Sequence, residues 1–168
     1  ETDIISCQFA FHYFCENDKS LNRTLSVISA KLRTGGLFIG TATDGDLISN
    51  ILKYGNVNIP LLTLVKQNRN NYLFYIQTEK TEKTEKSKNL TRQNYFEVQG
   101  VSSEYYLFKD KLIEIAQKND LELVEIKSFY EWYSGGNSGE NSGYNGPEMT
   151  PYEMIISFLN FSFVFIKK

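Results

Sequence analysis

The segment DIISCQFAFHY, residues 3–13, decides the fold class of this chain. It begins with the continuous apolar run that is typical of a strand buried on both faces of a parallel sheet. It then changes abruptly into a cluster of glutamine, phenylalanine, histidine and tyrosine, in which His12 is the single histidine of the chain. Such side chains at the carboxyl end of a parallel strand indicate a ligand site in an open α/β sheet. The segment therefore predicts a buried parallel strand over residues 3–9 that leads into a binding site.

Helix and strand patterns alternate after this first strand. Leucine and isoleucine at helical spacing predict a helix that Asp18 or Ser20 can cap and that runs to about Arg33. The pair Gly35-Gly36 stops this helix, and residues 36–41 form a second apolar strand. Strands and helices that alternate at this spacing predict an α/β fold with a parallel sheet and right-handed crossovers.

The remaining elements are shorter, and several strands are of the antiparallel kind. They are, in chain order, a short helix that Asp44 caps, strands over residues 59–65, 72–77 and 95–98, a helix that Ser102 or Ser103 opens and that ends near Asn119, a strand over residues 121–129, a short helix with a capping box and an early proline at Thr150-Pro151-Tyr152-Glu153, and a last strand over residues 161–166.

Two segments differ from the rest in composition. Residues 78–89 contain a threefold Thr-Glu-Lys repeat, which predicts a solvated loop or insertion. A basic surface for RNA phosphates is the alternative, but the alternating glutamates cancel the lysine charge. Residues 134–147 are rich in Gly, Ser and Asn and are expected to be mobile.

The totals exclude several classes of protein. With 168 residues, 41% of them hydrophobic, the chain is one domain or part of one. A net charge of -2 shows no global basic surface, so nucleic-acid binding would have to depend on a local site. No apolar run is long enough to span a bilayer. Cys7 and Cys15 have no metal or redox spacing, which favours free thiols in a reducing compartment. One histidine rules out a metal cage made of several histidines.

Three separated blocks of the sequence resemble the messenger-RNA cap guanine-N7 methyltransferases. Residues 3–13 follow the pattern D-I-x-S-x-Q-F-x-x-H-Y. Residues 33–41, RTGGLFIGT, are close to the family's L-x-P-G-G-x-F-I-G-T. Residues 103–107, SEYYL, stand where the family has a glutamate before its penultimate helix. The run TDGD at residues 43–46 is more similar to the poxvirus branch of capping enzymes, so the resemblance indicates part of a large DNA virus capping enzyme.

The resemblance implies a class I S-adenosylmethionine-dependent methyltransferase fold, which is Rossmann-like α/β. Residues 1–168 would be the C-terminal portion of one such domain, with a β-rich insertion. The strands at 3–9 and 36–41 would be the fourth and fifth of its sheet, and those at 121–129 and 161–166 the sixth and the reversed seventh. The family's Gly-rich turn and ribose-binding acidic residue have no match in this chain. We therefore expect the cofactor-binding half to be absent and the isolated chain to be inactive.

The resemblance also assigns site residues. Gln8 and Tyr13 match positions that contact S-adenosylmethionine, and Phe9, His12 and Tyr13 match the pocket for the cap guanine. Stacking on an aromatic side chain contributes about 1–3 kcal/mol per base, and His12 can donate to an acceptor on guanine. From the residues alone, Gln8 could equally make a hydrogen bond at the end of a strand, and His12 could be a half-buried structural histidine.

Glu104 is the most specific of these assignments. Guanine presents two adjacent donors, N1–H and the exocyclic amine, and one carboxylate can accept both, which adenine does not allow. The alternative is an acidic residue in the first turn of a helix, favoured by the helix dipole. The family's guanine-stacking tyrosine in the last strand aligns with Asn160, whereas a shift of one residue would place Phe161 there.

The expected function is methyl transfer from S-adenosylmethionine to N7 of the GpppN cap. Guanine N7 has a free lone pair, so the reaction needs alignment and electrostatic matching rather than a general base, and we expect no metal. The alternatives are an inactive regulatory subunit with a methyltransferase-like fold and a methyltransferase with another substrate. Expected partners are capped RNA, triphosphatase and guanylyltransferase domains or a stimulatory subunit, and no membrane. A viral enzyme would act in host cytoplasm or in the virion, and a cellular one in the nucleus.

Overall fold

The computed structural model describes residues 1–76, 102–135 and 148–168. Within these ranges the helices are α1 (Asp18–Lys31), α2 (Gly45–Ile51), α3 (Lys109–Gln117), α4 (Phe129–Tyr133) and α5 (Pro151–Phe158), and one 3₁₀ turn covers Phe11–Phe14. The strands are β1 (Thr2–Gln8), β2 (Leu32–Thr43), β3 (Val57–Ile59), β4 (Leu62–Lys66), β5 (Asn71–Ile76), β6 (Ser102–Tyr105), β7 (Leu121–Ser128) and β8 (Asn160–Lys167).

The main sheet has the strand order β1-β2-β8-β7. Strands β1 and β2 are parallel, whereas β8 runs antiparallel to both β2 and β7. The last strand of the chain is thus inserted, reversed, between two strands that share a direction. The order and directions of these four strands agree with those expected for the fourth, fifth, reversed seventh and sixth strands, and they place the carboxyl ends of β1, β2 and β7 at one edge of the sheet.

The main core lies on one face of this sheet. Phe161, Phe163 and Phe165 alternate along β8, so their side chains share a face, and all three are fully buried. Leu25 of α1 and Leu112 of α3 belong to the same cluster. Burial of a phenylalanine side chain contributes about 1.5–3 kcal/mol, so this aromatic row is a main source of stability for the edge that the site occupies.

A second, antiparallel sheet has the order β3-β4-β5-β6 and comes between α2 and α3 in the chain. It confirms the β-rich insertion. The single strand expected over residues 59–65 is in fact two strands, because Leu61 has a φ of 71° and turns the chain after Pro60. The strand expected over residues 72–77 is confirmed as β5 as far as Ile76, and residue 77 lies outside the described residues.

Three predictions fall wholly or largely outside the described residues. They are the charged segment 78–89, the strand over residues 95–98, and most of the segment 134–147.

The helix predicted to open at Ser102 or Ser103 is wrong. This part of the chain forms β6, which pairs with β5, and α3 begins only at Lys109. The pairing with β5 satisfies backbone groups that a local helix would otherwise use. The first-turn explanation of Glu104 therefore fails, since Glu104 lies in a strand.

The expected burial of the first strand on both faces is also wrong for the described chain. Strand β1 pairs with β2 alone among the described residues, and it lies at the sheet edge. The Ile4 side chain is 55% exposed, and most of the strand is accessible. Its apolar sequence is that of a central strand, but its position is that of an edge.

Both ends of helix α1 differ from expectation. Helix α1 is capped by Asn17, whose side chain accepts a bond from the Ser20 backbone N–H, rather than by Asp18 or Ser20. It ends at Lys31, and the pair Gly35-Gly36 lies inside β2.

The caps at Asp44 and Thr150 are confirmed, the latter as a complete capping box. The strand expected over residues 121–129 ends at Ser128, which opens α4 with a second capping box.

No helix among the described residues is long and apolar enough to cross a membrane.

Candidate functional site

The site begins where β1 ends. Phe9 adopts a φ of 52°, and its backbone N–H donates to the Thr41 carbonyl at 2.9 Å. A positive φ is rare for a bulky residue and indicates a backbone that its surroundings constrain. The chain then enters the 3₁₀ turn, which buries His12 and leaves Tyr13 nearly half exposed. The turn therefore directs one side chain inward and the next toward solvent at the carboxyl edge of the sheet.

Glu104 reaches the same place from the second sheet. It is directly opposite Tyr72 in the β5–β6 register and is buried. Its Oε2 atom is 2.9 Å from the Tyr72 hydroxyl and 3.6 Å from His12 Nε2. The structure thus brings together two site residues that are far apart in the sequence, and it does so at the junction of the two sheets.

The electrostatics of this pair follow from burial. Desolvation raises the pKa of Glu104 to about 7, although hydrogen bonds from Tyr72 and Tyr13 lower it in part. Desolvation lowers the pKa of His12 to about 4. The distance between His12 and Glu104 is that of an ion pair, but the two groups do not carry opposite charges. The histidine is neutral throughout the pH range in which the glutamate is ionised. We therefore treat His12 as a neutral hydrogen-bonding group.

Both ring nitrogens of His12 are buried and have no hydrogen-bond partner among the described residues. A neutral imidazole has one donor and one acceptor, and a buried polar group without a partner costs about 1–3 kcal/mol. Such a group beside a buried carboxylate fits a ligand that offers both donors and acceptors. The edge of a nucleobase has this chemistry.

Aromatic surface lies next to these polar groups. The Tyr13 ring is 4.3 Å from the His12 ring, centroid to centroid, at an angle of 50°. The Phe9 ring makes an edge contact with Phe129, the first residue of α4, at 5.9 Å. Phe9 is 40% exposed and Tyr13 is 45% exposed, so both retain accessible surface for a planar ligand.

Gln8 is the polar side chain at the strand end. Its Oε1 accepts a bond from the Thr41 hydroxyl at 3.0 Å, and its Nε2 donates to Ser6 Oγ at 2.9 Å. A primary amide offers two donors and two lone pairs, so Gln8 keeps capacity on both atoms. This agrees with a polar contact to a bound cofactor as well as with the strand-end hydrogen bonds seen here.

Asn160 is placed differently from the other predicted residues. It pairs with Thr43 in the β2–β8 register, but its amide donates to the backbone carbonyls of Ile156 and Ser157 in α5. Phe161, which a shift of one residue would bring to this position, is fully buried in the main core. Asn160 has no ring and the Phe161 ring is buried, so neither residue can stack on a ligand in this arrangement.

Sequence reasoning missed Tyr72, whose buried hydroxyl is 2.9 Å from both Thr43 Oγ1 and Glu104 Oε2. It treated Tyr72 as one residue of a strand. The available signal was the position of a tyrosine at the start of a strand next to polar loop residues, which by itself names no partner.

It also missed the contacts that hold the β6–α3 connection on α2. The backbone N–H of Gly45 donates to the Leu107 carbonyl at 3.0 Å. Lys109 Nζ is 2.5 Å from the buried carboxylate of Asp44, and its backbone N–H donates to Asp46. The run at residues 43–46 therefore anchors the segment that follows Glu104.

No group of three or more His, Cys, Asp or Glu side chains that could hold a metal ion occurs in the part of the chain that the structure describes.

Comparisons with known proteins agree on one family. The sequence model of the mRNA (guanine-N(7))-methyltransferase domain matches residues 1–143. A probable mRNA-capping enzyme of Acanthamoeba polyphaga mimivirus is 28% identical over 155 residues, which are 88% of this chain and 13% of that protein. The mRNA cap guanine-N(7) methyltransferase of Schizosaccharomyces pombe is 24% identical over 91% of this chain and 41% of its own length.

A shorter match is closer. The mRNA cap guanine-N(7) methyltransferase 1 of Arabidopsis thaliana is 47% identical over 51 residues, which are 30% of this chain and 14% of that protein. The chain thus spans less than half the length of each of these three relatives.

Solved structures agree on the fold. An S-adenosylmethionine-dependent methyltransferase from Clostridium acetobutylicum aligns over 99% of this chain and 58% of its own, with a TM-score of 0.52 and 10% identity. A putative enzyme of the same class from Listeria monocytogenes aligns over 99% of this chain and 61% of its own, with a TM-score of 0.54 and 10% identity. The class I methyltransferase fold is therefore shown.

Proposed function

Since this chain belongs to the mRNA (guanine-N7)-methyltransferase family, we propose that the complete protein transfers a methyl group from S-adenosylmethionine to N7 of the guanine that caps messenger RNA. The observation that supports this most directly is the buried cluster of His12 and Glu104 at the carboxyl edge of the sheet. It combines a neutral imidazole, a desolvated carboxylate and adjacent aromatic rings, which together match the edge and the face of guanine.

Glu104 recognises guanine in this proposal. Its carboxylate accepts from N1–H and from the exocyclic amine, and these charge-assisted bonds are strong because the group is buried. Adenine has no donor at N1, so it would leave a buried carboxylate without a partner. Discrimination by an unpaired buried group is large.

His12 complements this contact. As a neutral imidazole it can donate one hydrogen bond to an acceptor such as guanine O6, and it places no positive charge near the purine. Phe9 and Tyr13 contact the faces of the base through their exposed surfaces. With the base held on its edge and its faces, N7 keeps its lone pair for the methyl group.

Gln8 and Tyr13 are the proposed contacts to the cofactor within this chain. Bound S-adenosylmethionine would supply an electrophilic methyl group on a sulfonium. The chain's own part is to orient guanine and to exclude water from the buried edge of the base. Alignment of two reactants can contribute about 7–11 kcal/mol when the geometry is near that of attack.

The rest of the complete protein would supply most of the cofactor site. The exposed Ile4 side chain and the free edge of β1 among the described residues support this, because a parallel strand with an apolar sequence is normally covered on both sides. The match to the mimivirus protein, of which this chain covers 13%, leaves room for triphosphatase and guanylyltransferase domains or for a stimulatory subunit. Such a protein would act inside the cell, in host cytoplasm or the virion if viral and in the nucleus if cellular.

The test uses the complete protein that contains this chain. Methylation of GpppRNA is measured together with the Kd for S-adenosylmethionine, for the wild type and for Glu104→Ala. We expect the substitution to lower kcat/KM at least about 100-fold while the cofactor Kd stays within twofold.

Glu122→Ala is the matched control, since Glu122 is an exposed glutamate in β7 that pairs with Lys168. Turnover of Glu104→Ala equal to that of the control would contradict the guanine assignment. A wild type that binds capped RNA without any turnover would instead identify the non-catalytic alternative.

A further inference from the structure

A buried tyrosine hydroxyl makes hydrogen bonds between the two described sheets. Tyr72 belongs to the second sheet, yet its hydroxyl lies 2.9 Å from Oγ1 of Thr43, the last residue of β2 in the main sheet. The same hydroxyl lies 2.9 Å from Oε2 of Glu104. Tyr72 is fully buried, so it acts on a ligand only through its neighbours.

Proton counting sets the direction of these bonds. A tyrosine hydroxyl has one proton, and an ionised carboxylate can only accept. While Glu104 is ionised, Tyr72 must therefore donate to Glu104, and Thr43 must donate to Tyr72. The resulting chain runs from Thr43 through Tyr72 to Glu104, and each member polarises the next.

From this chain we infer that Tyr72 is a positioning residue that fixes the orientation of the Glu104 carboxylate and so sets the selectivity of the site for guanine. This inference rests on the proposed function, in which Glu104 binds the base. The Tyr72 hydroxyl donates to Oε2 of Glu104, and this bond holds the carboxylate in one orientation toward the base. Without the hydroxyl, a buried carboxylate would lose a donor and rotate.

The surroundings of Glu104 support this role. In the part of the chain that the structure describes, the titratable groups that face it are His12 and Tyr13 of the 3₁₀ turn and Tyr72 of β5. Burial and the Glu104 carboxylate raise the pKa of Tyr72 well above its ordinary value, so Tyr72 remains a donor at every working pH. The Tyr72 hydrogen bond also lowers the pKa of Glu104, in part opposing burial.

The main variant is Tyr72→Phe in the complete protein. We expect the KM for GpppRNA to rise about 10-fold, the loss of one hydrogen bond to a charged group, with kcat within twofold. The preference for GpppRNA over the inosine-capped analogue, which lacks the exocyclic amine, should fall by a similar factor. A general loss of stability would not change this preference.

Tyr106→Phe is the matched control. The Tyr106 ring packs 4.9 Å from the Tyr72 ring and is buried, but among the described residues its hydroxyl makes no hydrogen bond to Thr43 or Glu104. Thr43→Val and Thr43→Ser form a second pair, because the first removes the hydroxyl and the second keeps it. We expect Thr43→Val to lower the guanine preference and Thr43→Ser to retain it.

A spectroscopic measurement separates this inference from the proposed function. The Glu104 carboxyl is titrated by carbon NMR in protein labelled at glutamate, with Glu104→Gln identifying the signal. Its pKa should be higher in Tyr72→Phe than in the wild type and unchanged in Tyr106→Phe.

If the wild type methylates GpppRNA but Tyr72→Phe matches Tyr106→Phe in KM, guanine preference and Glu104 pKa, the inference is wrong and the function stands. If the wild type does not methylate GpppRNA, the proposed function is wrong, and the Glu104 pKa alone decides whether Tyr72 positions the carboxylate.

Discussion

His12 Nε2 lies 3.6 Å from Glu104 Oε2, and burial shifts the pKa values of these two neighbours in opposite directions until their usual order is reversed. With pKa values of about 4 for His12 and about 7 for Glu104, the two groups are never both charged to any large extent. Between these values both are neutral, and above pH 7 only the glutamate is charged. The pair therefore acts as a neutral donor beside a titrating acceptor.

The activity should depend on pH through Glu104. Binding of guanine requires the ionised carboxylate, so kcat/KM for capped RNA should rise with pH and reach a plateau. The midpoint of this rise should lie near the Glu104 pKa of about 7. Glu104→Gln should lose most activity and show a residual rate with no such rise. His12→Asn should be weaker but keep the rise, because His12 is already neutral there. If the rise in kcat/KM persists in Glu104→Gln and disappears in His12→Asn, the titrating group is His12 and the assignment to Glu104 is wrong.

The stability should depend on pH in a related way. The pKa of Glu104 is raised from its ordinary 4.5 to about 7, so its favourable contribution is complete below 4.5 and is lost as pH rises through 7. Relative to Glu104→Gln, the wild type should lose on the order of 2 kcal/mol of unfolding free energy between pH 5 and pH 8.

Urea unfolding of both complete proteins at the two pH values measures this difference. His12 contributes in the opposite sense, since its lowered pKa makes its contribution fall as pH drops from 6.5 through about 4. That term is expected in both proteins and cancels between them to a first approximation. Parallel stability curves for the two proteins would show that Glu104 is not desolvated.

Gly45→Ala should disturb the site from a distance. A Cβ at Gly45 would lie 2.6 Å from the backbone nitrogen and oxygen of Leu107, which follows β6. We expect a loss of about 1–3 kcal/mol of stability and a higher KM for capped RNA, because the segment after Glu104 must move. Thermal unfolding and steady-state kinetics measure both, with Asn50→Ala, an exposed position of the same helix, as the control. Equal behaviour of the two variants would show that the contact is not tight.

The pair Lys109–Asp44 should show energetic coupling. Asp44 is buried and caps α2, whereas the Lys109 side chain is about one-third exposed and lies over the Phe161 ring. Lys109→Met keeps the apolar packing but leaves the carboxylate unpaired, and we expect a cost of about 1–2 kcal/mol after allowance for solvent screening. In a double-mutant cycle with Asp44→Asn the two losses should not add. Additive losses would show that Lys109 and Asp44 are not energetically coupled and that the contact is no stronger than a surface ion pair.

Much of the main sheet could be predicted from local pattern. The apolar runs at residues 3–9 and 161–166 identify strands, and the cap at Asp44 and the capping box at Thr150 identify helix starts. These signals are short-range, because hydrophobic periodicity and capping involve residues within one or two turns of each other.

The strand that contains Glu104 could not be predicted in the same way. Residues 102–105 have a serine pair before a periodic apolar run, which locally favours a helix start. Pairing with β5, about 30 residues earlier in the chain, decides otherwise. Strand propensity depends on cross-strand neighbours, which a local pattern does not contain.

The sequence by itself determined the family, the order of the main strands and the identity of the polar residues proposed for guanine. Only the tertiary structure decided that His12 and Glu104 lie side by side in a buried site, and that Tyr72 and Thr43 support the carboxylate. The physical reason is that residue types and spacing are properties of the chain, whereas desolvation and hydrogen-bond direction arise only when two sheets pack together. The pKa values of His12 and Glu104 are reversed for that reason alone.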